Sequence, residues 1–175
     1  DANDNEGQRA TVAVTPAAIA VPASLHALLT ARLDRLGPGK EVVQIGAAVG
    51  REFSHALLSA VAGKSDAELV AMLDRLIDAG LLSRHGLAPH ATYRFKHAWV
   101  QDAAYGLLLR EPRQALHARI AEVLEKQQAD ASATEPEIVA HHFSEAELAE
   151  PACLYFERAG DRAMARSAYA EAVAH

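Results

Sequence analysis

The chain has 175 residues, a length that fits one large domain or two small ones. Half of the residues are apolar, which is enough to bury a core and excludes a wholly disordered chain. The formal net charge of −6 disfavours a protein whose main task is to neutralise nucleic-acid phosphates, although a local basic patch is still compatible with DNA contact.

Residues 1–21 are polar and then rich in valine and alanine without a helical period, so they are predicted to be a linker from a preceding domain. From residue 22 onward leucines recur at helical spacing, with Ser24 as the N-cap of the first predicted helix. Glycines and a proline at residues 37–39 end that helix. Three more helices are predicted, over residues 40–49, from Ser54 to Gly63, and from Asp66, taken as the cap, to the terminal glycine Gly80.

Beyond Gly80 the apolar period changes from helical to extended. Residues 81–84 and 92–95 predict two short strands, joined by residues 85–90, which contain Gly86 and Pro89. Helices followed by a β-hairpin are the order of a winged helix, so residues 22–97 are predicted to form a winged-helix domain.

After the hairpin the chain is predicted to be helical again. The predicted helices cover residues 98–109, 112–127, 136–148 and the stretch from residue 151 onward, and three of them begin at a proline. Residues 128–134 are small and polar and predict a linker or a helix–helix turn. Helix pairs joined by short turns indicate a helical repeat array over residues 98–175.

Several blocks of residues together resemble a known family. The blocks are Leu33-Asp34-Arg35-Leu36, residues 45–53, Leu73-Asp74-Arg75-Leu76, residues 93–105 and residues 116–121. From about residue 20 onward the chain resembles the segment after the ATPase module in bacterial multidomain signalling ATPases of the STAND type. Such ATPases are often joined to an adenylate or guanylate cyclase domain at one end and to tetratricopeptide repeats at the other. Trp99 departs from the family, which more often has leucine there, and the start at Asp1 agrees with a segment of a longer protein.

The C-terminal residues partly match one tetratricopeptide repeat. The matching positions are Phe156, Ala159, Gly160, Tyr169 and Ala172, with Ala159 and Ala163 in place of the usual leucine and tyrosine. In this register His175 falls inside the second helix of the repeat. The predicted fold class is therefore mainly α, a winged-helix domain followed by antiparallel helix pairs of tetratricopeptide type.

No complete active site is predicted, so no catalytic residue is assigned. Residues 37–40 bring glycine and lysine together but lack the earlier glycine and the Ser or Thr of a nucleotide-binding P-loop. Cys153 is the single cysteine, which excludes an internal disulfide and fits a reducing cytoplasm. Its position beside Leu154 and Tyr155 early in a helix predicts a packing role. A small independent enzyme is only a residual alternative.

The nine histidines do not predict a metal site. His141 and His142 are adjacent and project about 100° apart around a helix, so structural or surface roles are predicted for both. Gly46 and Gly50, four residues apart in a predicted helix, indicate close helix packing. No apolar run is long enough for a transmembrane helix, so no membrane partner is expected. The single thiol is the reason to expect a cytoplasmic protein.

His97 is the one candidate binding residue, because it follows the second hairpin strand and opens a helix whose free N–H groups favour anions. In the family that the chain resembles, a histidine at the corresponding place contacts the terminal phosphate of bound ADP. The resemblance therefore implies that His97 senses the nucleotide of an upstream ATPase domain, while the fragment itself binds no cofactor. The alternative is that His97 is a helix cap, paired with Asp102.

Two classes of function follow. In the first, the winged helix relays the ATP or ADP state of the ATPase domain in cis, and the repeat helices dock a protein partner. In the second, the winged helix binds DNA as a transcription regulator, with the helix before the hairpin as the reader. The charged residues of that helix are Asp66, Glu68, Asp74, Asp78 and Arg75. This excess of acids repels phosphates, and the hairpin supplies only Arg84 and Arg94, so protein docking is favoured over DNA.

Overall fold

The computed structural model describes residues 23–130 and 135–174, and it describes side chains for residues 27–127 and 135–167. The predicted linker 1–21 and most of the second one, residues 131–134, lie outside the described residues. The described part is mainly helical with one small antiparallel sheet. Its elements are α1 (Ala23–Asp34), α2 (Gly39–Val49), β1 (Glu52–Ser54), α3 (His55–Ala62), α4 (Asp66–Asp78), β2 (Leu82–His85), β3 (Thr92–Phe95), α5 (Ala98–Gly106), α6 (Arg110–Asp130), α7 (Pro136–Glu145) and α8 (Ala149–Ala174).

Side-chain caps define α3 and α4. The hydroxyl of Ser54 accepts the N–H of Leu57 at 3.1 Å and opens α3, which ends at Gly63 in the left-handed conformation. The cap of α4 is Ser65, and the prediction of Asp66 was wrong by one residue. Ser65 and Glu68 form a capping box, in which each side chain accepts the other residue's backbone N–H.

The sheet has three strands in the order β1-β3-β2, and all pairs are antiparallel. The predicted hairpin is confirmed as β2 and β3, whereas β1 was not predicted. Phe53 of β1 lies opposite Tyr93 of β3, and both rings are buried. Phe53 also packs against Phe95, with ring centroids 5.8 Å apart. The inner face of the sheet is therefore aromatic and closes the core formed by α2, α3 and α4.

Gly46 allows α2 to approach β1. A Cβ atom at Gly46 would lie 2.6 Å from the ring of Phe53, which leaves no space for a side chain. The predicted close packing is confirmed here, with a strand residue as the neighbour. Gly50 has a different role from the one predicted, because it is the C-cap of α2 with φ of +146°, a conformation that favours glycine.

The helices after the sheet pack on the same core. Helix α5 contacts α1 and α2, α6 contacts α2 and α3, and α7 lies between α6 and α8. Phe143 of α7 stacks on Tyr155 of α8, with ring centroids 5.7 Å apart. The buried side chains before and after residue 97 form one continuous hydrophobic cluster.

Two predictions about the last helix differ from the structure of α8. It is continuous from Ala149 to Ala174, so Phe156 and Tyr169 lie on one helix and the turn expected between the two helices of a repeat is not formed. Its sequence is rich in alanine, the strongest helix former, which explains the continuity. Cys153 is exposed and does not pack in the core, because α8 is buried through its neighbours Ala152 and Tyr155.

None of the helices in the described ranges combines the length and the apolar character needed to cross a lipid bilayer.

Candidate functional site

His97 lies at the N-terminus of α5, directly after β3. It has extended backbone angles, φ of −135° and ψ of 136°, and its carbonyl oxygen accepts the N–H of Val100 at 3.1 Å. Its side chain makes no capping hydrogen bond and is exposed, so the cap interpretation holds for the backbone only. The predicted pairing with Asp102 is not among the ion pairs of the described residues.

The surroundings of His97 are compatible with an anion. The first turn of α5 carries no acidic residue, and Lys96 beside it is exposed. The imidazole ring of His97 lies 5.5 Å from the ring of Trp99, which is itself 42% exposed. A free imidazole, a cationic neighbour and the N-terminal end of a helix together favour contact with a negatively charged group.

A cleft opens along the middle and the C-terminal part of α5, where this helix meets α2, α6 and α7. The cleft has a volume of about 360 Å³, and α2 contributes its C-terminal residues 47–50. Its other lining residues are Gln101, Asp102, Tyr105, His117, His141 and Glu145. Gln101 joins two walls by donating to the carbonyl oxygen of Ala47 at 3.3 Å. The cleft therefore lies at the junction between the early helices and the later ones.

Hydrogen bonds connect four side chains behind and along this cleft. The hydroxyl of Tyr105 lies 3.0 Å from Nε2 of His117 and 3.3 Å from a carboxylate oxygen of Glu145. The Nδ1 atoms of His117 and His142 lie 2.9 Å apart. These contacts join α5, α6 and α7. We call the four residues Tyr105, His117, His142 and Glu145 the polar chain.

Burial controls the protonation of the polar chain. Both His117 and His142 are 1% exposed. Burial, with the nearby His117 and His141, lowers the pKa of His142 to about 3. Burial also lowers the pKa of His117, against the opposing effect of the Glu145 carboxylate. Burial and Glu145 raise the pKa of Tyr105. Both histidines are therefore neutral at neutral pH, and the tyrosine keeps its proton.

The adjacent histidines divide between the two roles predicted for them, since His142 is buried in the structure and His141 is exposed on the cleft. Within the ranges that the structure describes, no three His, Cys, Asp or Glu side chains are grouped so that they could hold a metal ion.

The polar chain was not predicted, although one signal was present. His142 and Glu145 are three residues apart, a spacing that makes their side chains neighbours on a helix surface. Tyr105 and His117 are twelve residues apart, and their contact requires the connection between α5 and α6 to reverse the chain. The tertiary fold brings the polar chain together, and local spacing does not reveal it.

The surface of α4 has fewer free charges than its sequence suggests. Asp74 pairs with Arg84 of β2 at 2.8 Å, and Arg94 of β3 pairs with Glu52 at 3.0 Å. Both hairpin arginines are therefore neutralised by carboxylates. Asp66, Glu68 and Asp78 remain exposed on α4.

The chain is similar to one uncharacterized protein from Rhizobium meliloti (strain 1021), to which it is 32% identical over 152 residues. The similar region covers 85% of this chain and 15% of that protein, so the chain spans a small part of the relative's length. No family model matches the chain, and no solved structure matches it. The activity and partners of any longer protein are therefore proposals.

Proposed function

We propose that the chain is a non-catalytic regulatory segment of a multidomain cytoplasmic signalling ATPase. In this proposal residues 22–97 form a winged helix that responds to the nucleotide of an ATPase domain in cis, and the later helices dock a protein partner. The observation that carries the proposal is the position of His97, exposed at the start of α5 with a side chain that makes no capping hydrogen bond.

The order of the elements supports a winged helix. Helices α3 and α4 are joined by a three-residue turn, residues 63–65, that begins with glycine, as in a helix-turn-helix. The hairpin β2–β3 follows α4 directly, and β3 pairs with the strand β1 that precedes α3. A helix-turn-helix with a hairpin beside it is the arrangement that the resemblance to STAND-type ATPases implies.

His97 would contact the terminal phosphate of ADP through a hydrogen bond from its imidazole. Phosphate oxygens accept such bonds, and the N-terminus of α5 adds a favourable dipole. The bond would hold the winged helix against the ATPase domain in the ADP state. Exchange for ATP would weaken that contact and release the segment, a shift between two states with different affinities for the nucleotide.

The later helices would present the partner-docking surface. Large apolar side chains on α8 are exposed, with Phe156 at 51% and Met164 at 74%. The carboxylates after residue 127 outnumber the arginines nine to three, which favours a basic partner. A cyclase or another effector domain of the full protein would receive the output, as the resemblance implies.

A DNA-binding regulator is the second candidate, and the order α3–turn–α4 followed by a hairpin is the observation that favours it. The charges oppose it, because α4 exposes three carboxylates and both hairpin arginines are already paired. Titration of a labelled DNA duplex at low salt separates the two candidates, since even non-specific binding is visible there. A salt-sensitive rise in fluorescence anisotropy would support the DNA-binding candidate.

The relay is tested by measuring ADP affinity in the full-length protein and in its His97→Ala variant. Loss of one hydrogen bond to a charged group should weaken ADP binding about tenfold. His90→Ala is the matched control, because His90 is an exposed histidine of the hairpin connection. Equal ADP affinities of wild type and His97→Ala, or no ADP binding at all, would rule out the relay in this form.

A further inference from the structure

The polar chain has as many protons as it has contacts. Its three contacts are Tyr105 to Glu145, Tyr105 to His117 and His117 to His142. A tyrosine hydroxyl carries one proton, a neutral imidazole carries one on either nitrogen, and an ionised carboxylate carries none. Two neutral histidines and one tyrosine therefore supply three protons for three contacts.

Only one arrangement of these protons satisfies all three contacts. Glu145 can only accept, so Tyr105 must donate to it and its oxygen must accept from Nε2–H of His117. The Nδ1 atom of His117 is then without a proton and accepts from Nδ1–H of His142. The direction of every hydrogen bond follows from the carboxylate at the exposed end.

We propose that Glu145 sets the tautomers of the two buried histidines, and that the polar chain is a two-state device that reports contact between α5 and α7. In the state with Glu145 bonded, His117 carries its proton on Nε2 and His142 on Nδ1. In the reversed state Tyr105 donates to Nε2 of His117, His117 donates from Nδ1, and His142 keeps its proton on Nε2.

The two histidines cannot combine a tautomer of one state with a tautomer of the other state. If one histidine changed its tautomer alone, the Nδ1 contact of 2.9 Å would face two N–H groups or two lone pairs. Both histidines are 1% exposed, so water does not replace the lost partner. The protons of His117 and His142 therefore move together.

The contact between Tyr105 and Glu145 controls the change between the two states. At 3.3 Å it is the longest of the three contacts in the polar chain. Tyr105 belongs to α5 and Glu145 is the last residue of α7, so separation of these helices breaks it. Loss of the carboxylate removes the requirement for Tyr105 to donate outward, and the reversed state becomes available. The Nδ1–H group of His142, buried between α6 and α7, thus depends on a contact at the protein surface. This two-state device depends only on the four residues of the polar chain and does not require the proposed nucleotide relay.

The test is NMR of ¹⁵N-histidine-labelled chain at pH 7, where long-range proton–nitrogen correlations distinguish protonated from bare ring nitrogens. Signals of His117 and His142 are assigned with single His→Gln variants. Wild type should show His142 with its proton on Nδ1 and His117 with its proton on Nε2. The opposite tautomers in wild type would overturn the proposal without any variant at Glu145.

In the Glu145→Ala variant the reversed tautomers should be populated, and they should be populated for both histidines together. Glu122→Ala, which removes an exposed carboxylate from α6, should leave the wild-type tautomers unchanged. A change in only one of the two histidines, or unchanged tautomers in Glu145→Ala, would overturn the proposal. Because Glu145 is exposed, its replacement leaves the buried residues in place.

Discussion

His117 and His142 face each other through their Nδ1 atoms, 2.9 Å apart, in the contact between α6 and α7. One of these atoms must donate and the other must accept, so the pair cannot carry two positive charges in this geometry. The contact lies in the interface between α6 and α7, and α8 packs on α7. Because this contact needs neutral imidazoles, we expect acid to weaken the packing of the C-terminal helices.

We predict that the chain loses stability as the pH falls below neutrality. The pKa of His142 is lowered to about 3 in the folded state, whereas an unfolded histidine titrates near its ordinary value of 6.5. The unfolded state therefore binds more protons below pH 6.5, and the stabilisation present above that pH is lost progressively as the pH falls toward the folded pKa. Between pH 7 and pH 5 the loss should be about 2 kcal/mol.

Urea unfolding at a series of pH values measures this dependence. His142→Gln should be less stable than wild type at pH 7 and should show a shallower pH dependence. His90→Ala, which removes an exposed histidine, should keep the wild-type slope. Equal slopes for wild type and His142→Gln would show that the buried pair does not control acid sensitivity.

The contact between α2 and β1 has no space for a side chain at Gly46. Gly46→Ala places a Cβ atom 2.6 Å from the ring of Phe53, which itself packs against Tyr93 and Phe95. The aromatic rings must shift, and such overpacking costs about 1–3 kcal/mol. The free energy of unfolding in urea is the measurement.

Gly160→Ala is the matched control for this substitution. Gly160 lies in α8 with open space around it, so the same change removes a helix-weakening residue without a clash. Stability should be unchanged or should rise by up to about 1 kcal/mol. A similar loss of stability in both variants would mean that the effect is not caused by the Phe53 contact.

Much of the fold is predictable because its signals are local. The sequence predicts α4 and its buried face from one apolar stripe, in which the three leucines are buried and the other two residues are partly buried. The stripe consists of Leu69, Met72, Leu73, Leu76 and Ile77. The hairpin is predicted by the change of period after Gly80. Strand β1 has only three residues, and it is a strand because β3 pairs with it some forty residues later. Such pairing leaves almost no local pattern.

The two candidate sites, His97 and the polar chain, also differ in how far the sequence predicts them. His97 could be proposed from the resemblance and from its place between a strand and a helix, and its exposure is a structural finding. The contact between His117 and His142 joins residues 25 positions apart on two helices. Because both histidines lie among helix-forming residues, the sequence does not indicate that they are buried against each other. Only the packing of α6 on α7 supplies that information.

The capping box of Ser65 and Glu68 is expected to stabilise the start of α4. The hydroxyl of Ser65 accepts the N–H of Glu68 at 3.4 Å, and the carboxylate of Glu68 accepts the N–H of Ser65 at 3.2 Å. Ser65→Ala leaves that first N–H without its partner, so the free energy of unfolding should fall by about 1 kcal/mol. Thermal unfolding measures the change.

Ser144→Ala is the control for this substitution, because Ser144 is an exposed serine within α7, where alanine is the better helix former. Its stability should equal or slightly exceed that of wild type. If Ser65→Ala were as stable as Ser144→Ala, the start of α4 would not depend on the hydroxyl of Ser65. The turn between α3 and α4 would then be held by packing alone, with Leu69 as the first buried side chain of α4.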